Sequence, residues 1–188
     1  ILGNGFEVDS LVATQVLTKA GGPPLTEVTK IASALGHTCA LKSDHTLLCW
    51  GANDQGQLGI GNAPGNQLFP VQVTSLFDQV IDVEASYGLT CATVTGGTLY
   101  CWGSNVDGAA DVPAPMPGPD GTSALSGVSQ IQAVYDRNGR SNRICALRSK
   151  EADVLCWTSP WVAPTPMVRG GAAVTGVHEL SIGTDYSD

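Results

Sequence analysis

Apolar residues in this chain come in short runs broken by glycine, proline, asparagine and aspartate, and no run reaches the roughly 18 residues needed to span a bilayer. Three of these runs, VTKIASALG (28–36), VIDVEASYG (80–88) and VSQIQAVYD (128–136), align on Ile31, Val83 and Ile131. Each leads into two cysteines that bracket a polar centre: HTCALKSDHTLLCWG (37–51), LTCATVTGGTLYCWG (89–103) and RICALRSKEADVLCW (143–157). The pattern predicts a strand followed by a hairpin, three times over. With 23 glycines, 11 prolines and only 14% charged residues, the chain reads as all-β with many tight turns.

The repeat extends beyond the hairpins. LGNGFEVDSLVATQV (2–16) matches LGIGNAPGNQLFPVQV (58–73), with Gly3 and Gly5 in the places of Gly59 and Gly61, and VTGVHELSIGTDYSD (174–188) reads as the start of a further unit. The expected organisation is therefore a tail of one repeat over 1–27, repeats over 28–79 and 80–127, a divergent repeat over 128–173, and an opening piece over 174–188. On this reading the chain begins and ends in mid-repeat.

The order of apolar strand, Gly-His-Thr-Cys-Ala-Leu, turn, Leu-Leu-Cys-Trp-Gly, Asn-Asp-x-Gly-Gln-Leu-Gly-x-Gly and Pro-Val-x-Val resembles the repeat of the regulator of chromosome condensation (RCC1) family. The resemblance implies a β-propeller with one four-stranded antiparallel blade per repeat, so that about three full blades and two partial ones are expected here. It is strongest from Val28 to Val73 and weakens after Val128, where DRNGRSN (136–142) interrupts the pattern and Thr158 stands in place of glycine. Members of the family use the ring as a platform. The eukaryotic namesake is a nuclear exchange factor and chromatin binder, while the paired cysteines make this chain look like the secreted, bacterial-type members.

Cys39 and Cys49 are symmetric about Asp44, and Cys91 and Cys101 about Gly96, so each pair can face across its own hairpin. Three local disulfides are expected: Cys39–Cys49, Cys91–Cys101 and Cys145–Cys156. A zinc site needs closer thiolates and matching histidines, but the counterparts of His37 are Leu89 and Arg143. No Cys-x-x-Cys redox motif is present. Bridged cysteines persist outside the reducing cytoplasm, which points to an extracellular, cell-surface or periplasmic setting, although the opening residues lack the pattern of a signal peptide. Free structural thiols are the alternative in a reducing cell.

Trp50, Trp102 and Trp157 follow the second cysteine of each pair and face away from the sulfurs, as core between blades or as a stacking surface for sugars or peptides. Candidate contact residues lie where the repeat is broken: Trp161, and Tyr135, Arg137, Arg140 and Arg143 around the third hairpin. The proline-rich stretch 107–127 is a displayed loop on the same argument. Asn53, Asp54, Asn105 and Asp107 offer oxygens to calcium but equally suit tight turns. Of the histidines, His37 is expected to hydrogen-bond within its blade, His45 to be solvated in a turn, and His178 carries no assignment. No nucleophile elbow, phosphate loop or carboxylate pair stands out, so no catalytic residue, metal or cofactor is assigned. A net charge of −8 without a basic run disfavours nucleic acid. The expected function is a non-enzymatic extracellular module that binds a protein or glycan through blade-face loops. The alternative is a structural subunit whose open ends are completed by neighbouring chains, including other copies of itself.

Overall fold

A computed structural model of the chain describes residues 1–8, 10–61, 65–76, 79–104, 110–135, 142–158 and 163–181, without the side chains of 134, 135 and 142. Three four-stranded antiparallel sheets follow one another. The first orders β1 (Val28–Ser33), β2 (His37–Lys42), β3 (Leu47–Gly51) and β4 (Gln67–Gln72) as they come in the chain. The second does the same with β5 (Val80–Ser86), β6 (Leu89–Val94), β7 (Leu99–Gly103) and β8 (Ala110–Pro115). The third comprises β9 (Val128–Tyr135), β10 (Asn142–Arg148), β11 (Asp153–Thr158) and β12 (Thr165–Pro166), and a small ribbon of β13 (Val168–Arg169) and β14 (Ala172–Ala173) follows. No helix occurs among the described residues, and so none long and apolar enough to cross a membrane.

The cysteines set the register. Cys39 lies opposite Cys49, Cys91 opposite Cys101 and Cys145 opposite Cys156, each pair with Cα atoms 4.1 Å apart and disulfide-bonded. Such closeness belongs to the non-hydrogen-bonded pairs of an antiparallel ladder. Since side chains alternate across a strand, every blade has a disulfide face and an opposite face bearing its tryptophan. The stack is built by laying one kind on the other. Cys39, Leu41, Leu47 and Cys49 of blade one pack against Val83, Ala92 and Trp102 of blade two. Leu89, Cys91, Leu99 and Cys101 of blade two pack against Ile131, Ala146 and Trp157 of blade three. Trp102 and Trp157 are fully buried in these joints, and Trp50 is buried at the front of the stack.

The fourth strand of each sheet lies at an edge and carries proline: Pro70 in β4, Pro113 and Pro115 in β8, Pro166 in β12. Proline removes a ladder donor and blunts edge-to-edge association. The opening residues reproduce parts of a blade. Gly5 N donates to Leu68 O of β4 (3.1 Å) as Gly61 N donates to Asp111 O of β8 (2.9 Å), and the bridge Leu17–Pro24 mirrors Pro117–Ala124. At the other end Leu180 packs on Cys145, Leu147 and Val154, the disulfide face of blade three.

Candidate binding face

In blades one and two the turn from first to second strand brings a large side chain to one rim of the stack. In blade one Ala34 N donates to His37 O (2.9 Å), which closes the turn and leaves Leu35 85% exposed. In blade two the equivalent residue is Tyr87, 39% exposed. The exit of the third strand clamps each turn: Ala52 N donates to Gly36 O and Ser104 N to Gly88 O, both at 2.7 Å. This explains the glycine of Cys-Trp-Gly. Gly103 has φ +101°, and a Cβ there would fall onto the Gly88 carbonyl.

Beside this rim, the loop after β3 is held by its own side chains. Asn53 Oδ1 accepts from Leu58 N (3.0 Å), and Asp54 Oδ1 accepts from Gln57 Nε2 (3.0 Å). These two oxygens serve the turn, and no group of three metal-ligating side chains gathers among the described residues. Asn105 and Asp107 lie outside the described residues.

Beneath the rim, His37 departs from expectation. Its Nε2 is 2.7 Å from Thr90 Oγ1, in the next blade and not in its own. The reason is the alternation of faces: His37 shares a side of β2 with Cys39, and that side meets blade two. Thr90 Oγ1 donates to Gln57 O (2.7 Å), which also receives Trp102 Nε1 (3.0 Å), so the His37 ring donates through Nε2. Nδ1 is left buried without a partner, and desolvation pushes the imidazole down to about 4. His45 likewise reaches the next blade, with Nδ1 3.0 Å from Val80 O, while His178 is exposed.

Along the first strands runs a polar ladder. Lys30 Nζ donates to Asp82 Oδ1 (2.6 Å) and Glu84 Oε1 (2.8 Å), and Asp82 Oδ2 accepts from Ile131 N (3.4 Å). Gln130, at the aligned position in blade three, pairs with both backbone groups of Leu180 at 2.8 Å. Burial draws the Lys30 ammonium down, but hydrogen bonds to Asp82 and Glu84 outweigh it and hold it above its ordinary value.

Among the expected contact residues, Arg143 is exposed and borders an opening of about 240 Å³ with Cys156, Thr158 and Met167. Tyr135 ends β9 opposite Asn142, next to Arg143; it aligns in sequence with Leu35 and Tyr87 but lies in a strand where they lie in turns. Trp161, Arg137 and Arg140 lie outside the described residues. Leu35 and Tyr87 were not singled out from the sequence, although their shared position with Tyr135 in the aligned runs was the available signal.

The sequence model of the regulator of chromosome condensation (RCC1) repeat matches residues 44–93, and a second form of it matches 28–57 and 80–109. Over 87 residues, 46% of this chain, the sequence is 37% identical to the mitochondrial RCC1 domain-containing protein RUG3 of Arabidopsis thaliana. Over 82 residues, 43% of this chain, it is 37% identical to the ultraviolet-B receptor UVR8 of the same plant. These matches span 19% and 18% of the two proteins. The solved structure of Prp20p from Saccharomyces cerevisiae, described with its binding to Gsp1p and histones, superposes with a TM-score of 0.57 at 19% identity, over 74% of this chain and 37% of that one. The chain has the fold of an open segment of an RCC1-like β-propeller, and its residues 28–109 are similar to the RCC1 repeat.

Proposed function

We propose that this chain is a non-enzymatic protein-binding module working in an oxidising compartment outside the cytoplasm. The observation that carries the reading is the repeated exposure of a large side chain on one rim, Leu35 in blade one and Tyr87 in blade two, with Tyr135 aligned in blade three. A single exposed leucine means little, but a row at equivalent positions on a rigid scaffold is what a contact surface requires. Arg143 adds a cation beside the row on an otherwise acidic chain. The yeast relative described as binding Gsp1p and histones supports a protein as the class of partner. The oxidising compartment rests on the three within-hairpin disulfides.

The test is a photo-crosslinking side chain placed at position 35 or 87 in the producing cell, with Ser43, in the turn at the far end of the same hairpin, as control. A discrete protein adduct from 35 and 87 but not from 43 is expected. Equal labelling from both rims, or a carbohydrate adduct, overturns the protein-binding rim. Recovery of the natural protein with free thiols overturns the compartment.

A further inference from the structure

His37 sits where the rim meets the joint between blades one and two. Its backbone carbonyl closes the turn that carries Leu35, and its ring crosses to Thr90, three residues beyond Tyr87. The ring is 2% exposed, and its Nδ1 has no hydrogen-bond partner. The same place in the next joint is apolar: Leu89 stands for His37 and Ile144 for Thr90, both 0% exposed, and the Trp157 indole bonds to Pro117 O (3.2 Å). Among the described residues, no charged side chain is turned toward the His37 ring. β6 carries no ionisable side chain, and Tyr100 of β7 packs in the apolar core. Asp54, in the loop after β3, is exposed and bonded to Gln57 Nε2, and Tyr87 is exposed in its turn. Asp82 and Glu84 of β5 are held by Lys30 of β1, and Lys42, at the far end of β2, is held by Asp44 and Glu27.

We propose that the His37–Thr90 bond is an acid-sensitive latch: in mildly acidic surroundings the joint between blades one and two opens, the fixed spacing of Leu35 and Tyr87 is lost, and the rim releases its protein partner. Release of a partner rests on the rim reading above; opening of the joint does not. A second proton on the buried ring meets neither water nor a carboxylate, whereas an open joint solvates the ring and lets it charge. The closed form resists that proton down to about pH 4 and the open form takes it near 6.5, so the open fraction grows as pH falls through this window. Between pH 7 and pH 5 the opening equilibrium rises about twentyfold. With leucine and isoleucine at the same place, the joint between blades two and three lacks this response.

The disulfides report on the two joints within one molecule, because Cys39–Cys49 is sealed in the first and Cys91–Cys101 in the second, all four residues being 0% exposed. The full chain is treated with a water-soluble phosphine at pH 7 and at pH 5, alkylated and mapped by mass. Reduction of Cys39–Cys49 relative to Cys91–Cys101 is expected to rise about twentyfold at pH 5. His37→Leu and His37→Gln should remove the rise, the second keeping a donor toward Thr90 that does not titrate. Spin labels carried on non-natural side chains at positions 35 and 87 should give a narrow distance distribution at pH 7 and a broad one at pH 5. A reduction ratio that ignores pH, or that rises equally in both variants, overturns the latch. A rising ratio with an unchanged distance between 35 and 87 overturns its coupling to the rim. Absence of a photo-adduct from 35 and 87 while the ratio still rises overturns the release of a partner and leaves the latch standing.

Discussion

At the scale of single residues, the positions that matter are those whose side chains cross from one blade to the next. His37 is neutral in the folded chain down to about pH 4, whereas in the unfolded chain it takes a proton near 6.5. Between those values the unfolded state binds more protons, so the His37 contribution lowers stability as pH falls from 6.5 to 4 and levels off below. The full effect is about 3 kcal/mol. Urea unfolding at pH 7 and pH 4.5 should show a loss that shrinks in His37→Leu, since leucine is the residue at the same place in blade two; an unchanged loss would assign the pH dependence elsewhere. Gly59 matters for the side chain it lacks, since the Trp102 indole of the next blade takes that space. Its φ is +68°, and a Cβ would lie 2.6 Å from Trp102 Nε1, so Gly59→Ala should cost about 2 kcal/mol or more in the same assay.

Elements carry what the sequence made legible. The cysteine spacing gave the hairpin register because two residues symmetric about a short turn must oppose each other, and alternation then put Trp50, Trp102 and Trp157 on the face away from sulfur. What stayed hidden was which blade each face meets. His37 to Thr90, Lys30 to Asp82 and Gln130 to Leu180 join residues about fifty apart, and no pattern within one strand encodes that partnership. The ribbon at residues 16–25 was hidden differently: Val16 and Met116 share a backbone position and little else. Burial ranks the three bridges. Cys39, Cys49, Cys91 and Cys101 are 0% exposed, whereas Cys156 is partly exposed and borders the opening near Arg143. Under mild reduction without denaturant, Cys145 and Cys156 should therefore be alkylated first, read by peptide mass mapping; simultaneous loss of all three bridges would mean that reduction proceeds through global unfolding.

At the scale of the whole chain, the described residues form a row of blades whose main contacts run between neighbours, so cooperativity depends on the joints. Apolar cores supply most of the energy of those joints, but they are separate cores, one per joint. The first-strand ladder is different, because Asp82 belongs to two joints at once. One oxygen accepts from Lys30 of blade one, and the other accepts from the backbone of Ile131 of blade three. Glu84, among the described residues, bonds on the Lys30 side. The two carboxylates therefore make a matched pair for asking whether the ladder couples blades that do not otherwise meet. Lys30 is 35% exposed, so solvent screens part of its attraction, and loss of the Asp82 bonds should cost about 1–2 kcal/mol. Hydrogen exchange is the sensitive measure, since it resolves strands separately. Asp82→Ala should lower protection in β1 and β9 together, while Glu84→Ala should loosen β1 alone. If Asp82→Ala changes only β5, the blades are joined by their apolar faces and the ladder adds local order without linking one joint to the next.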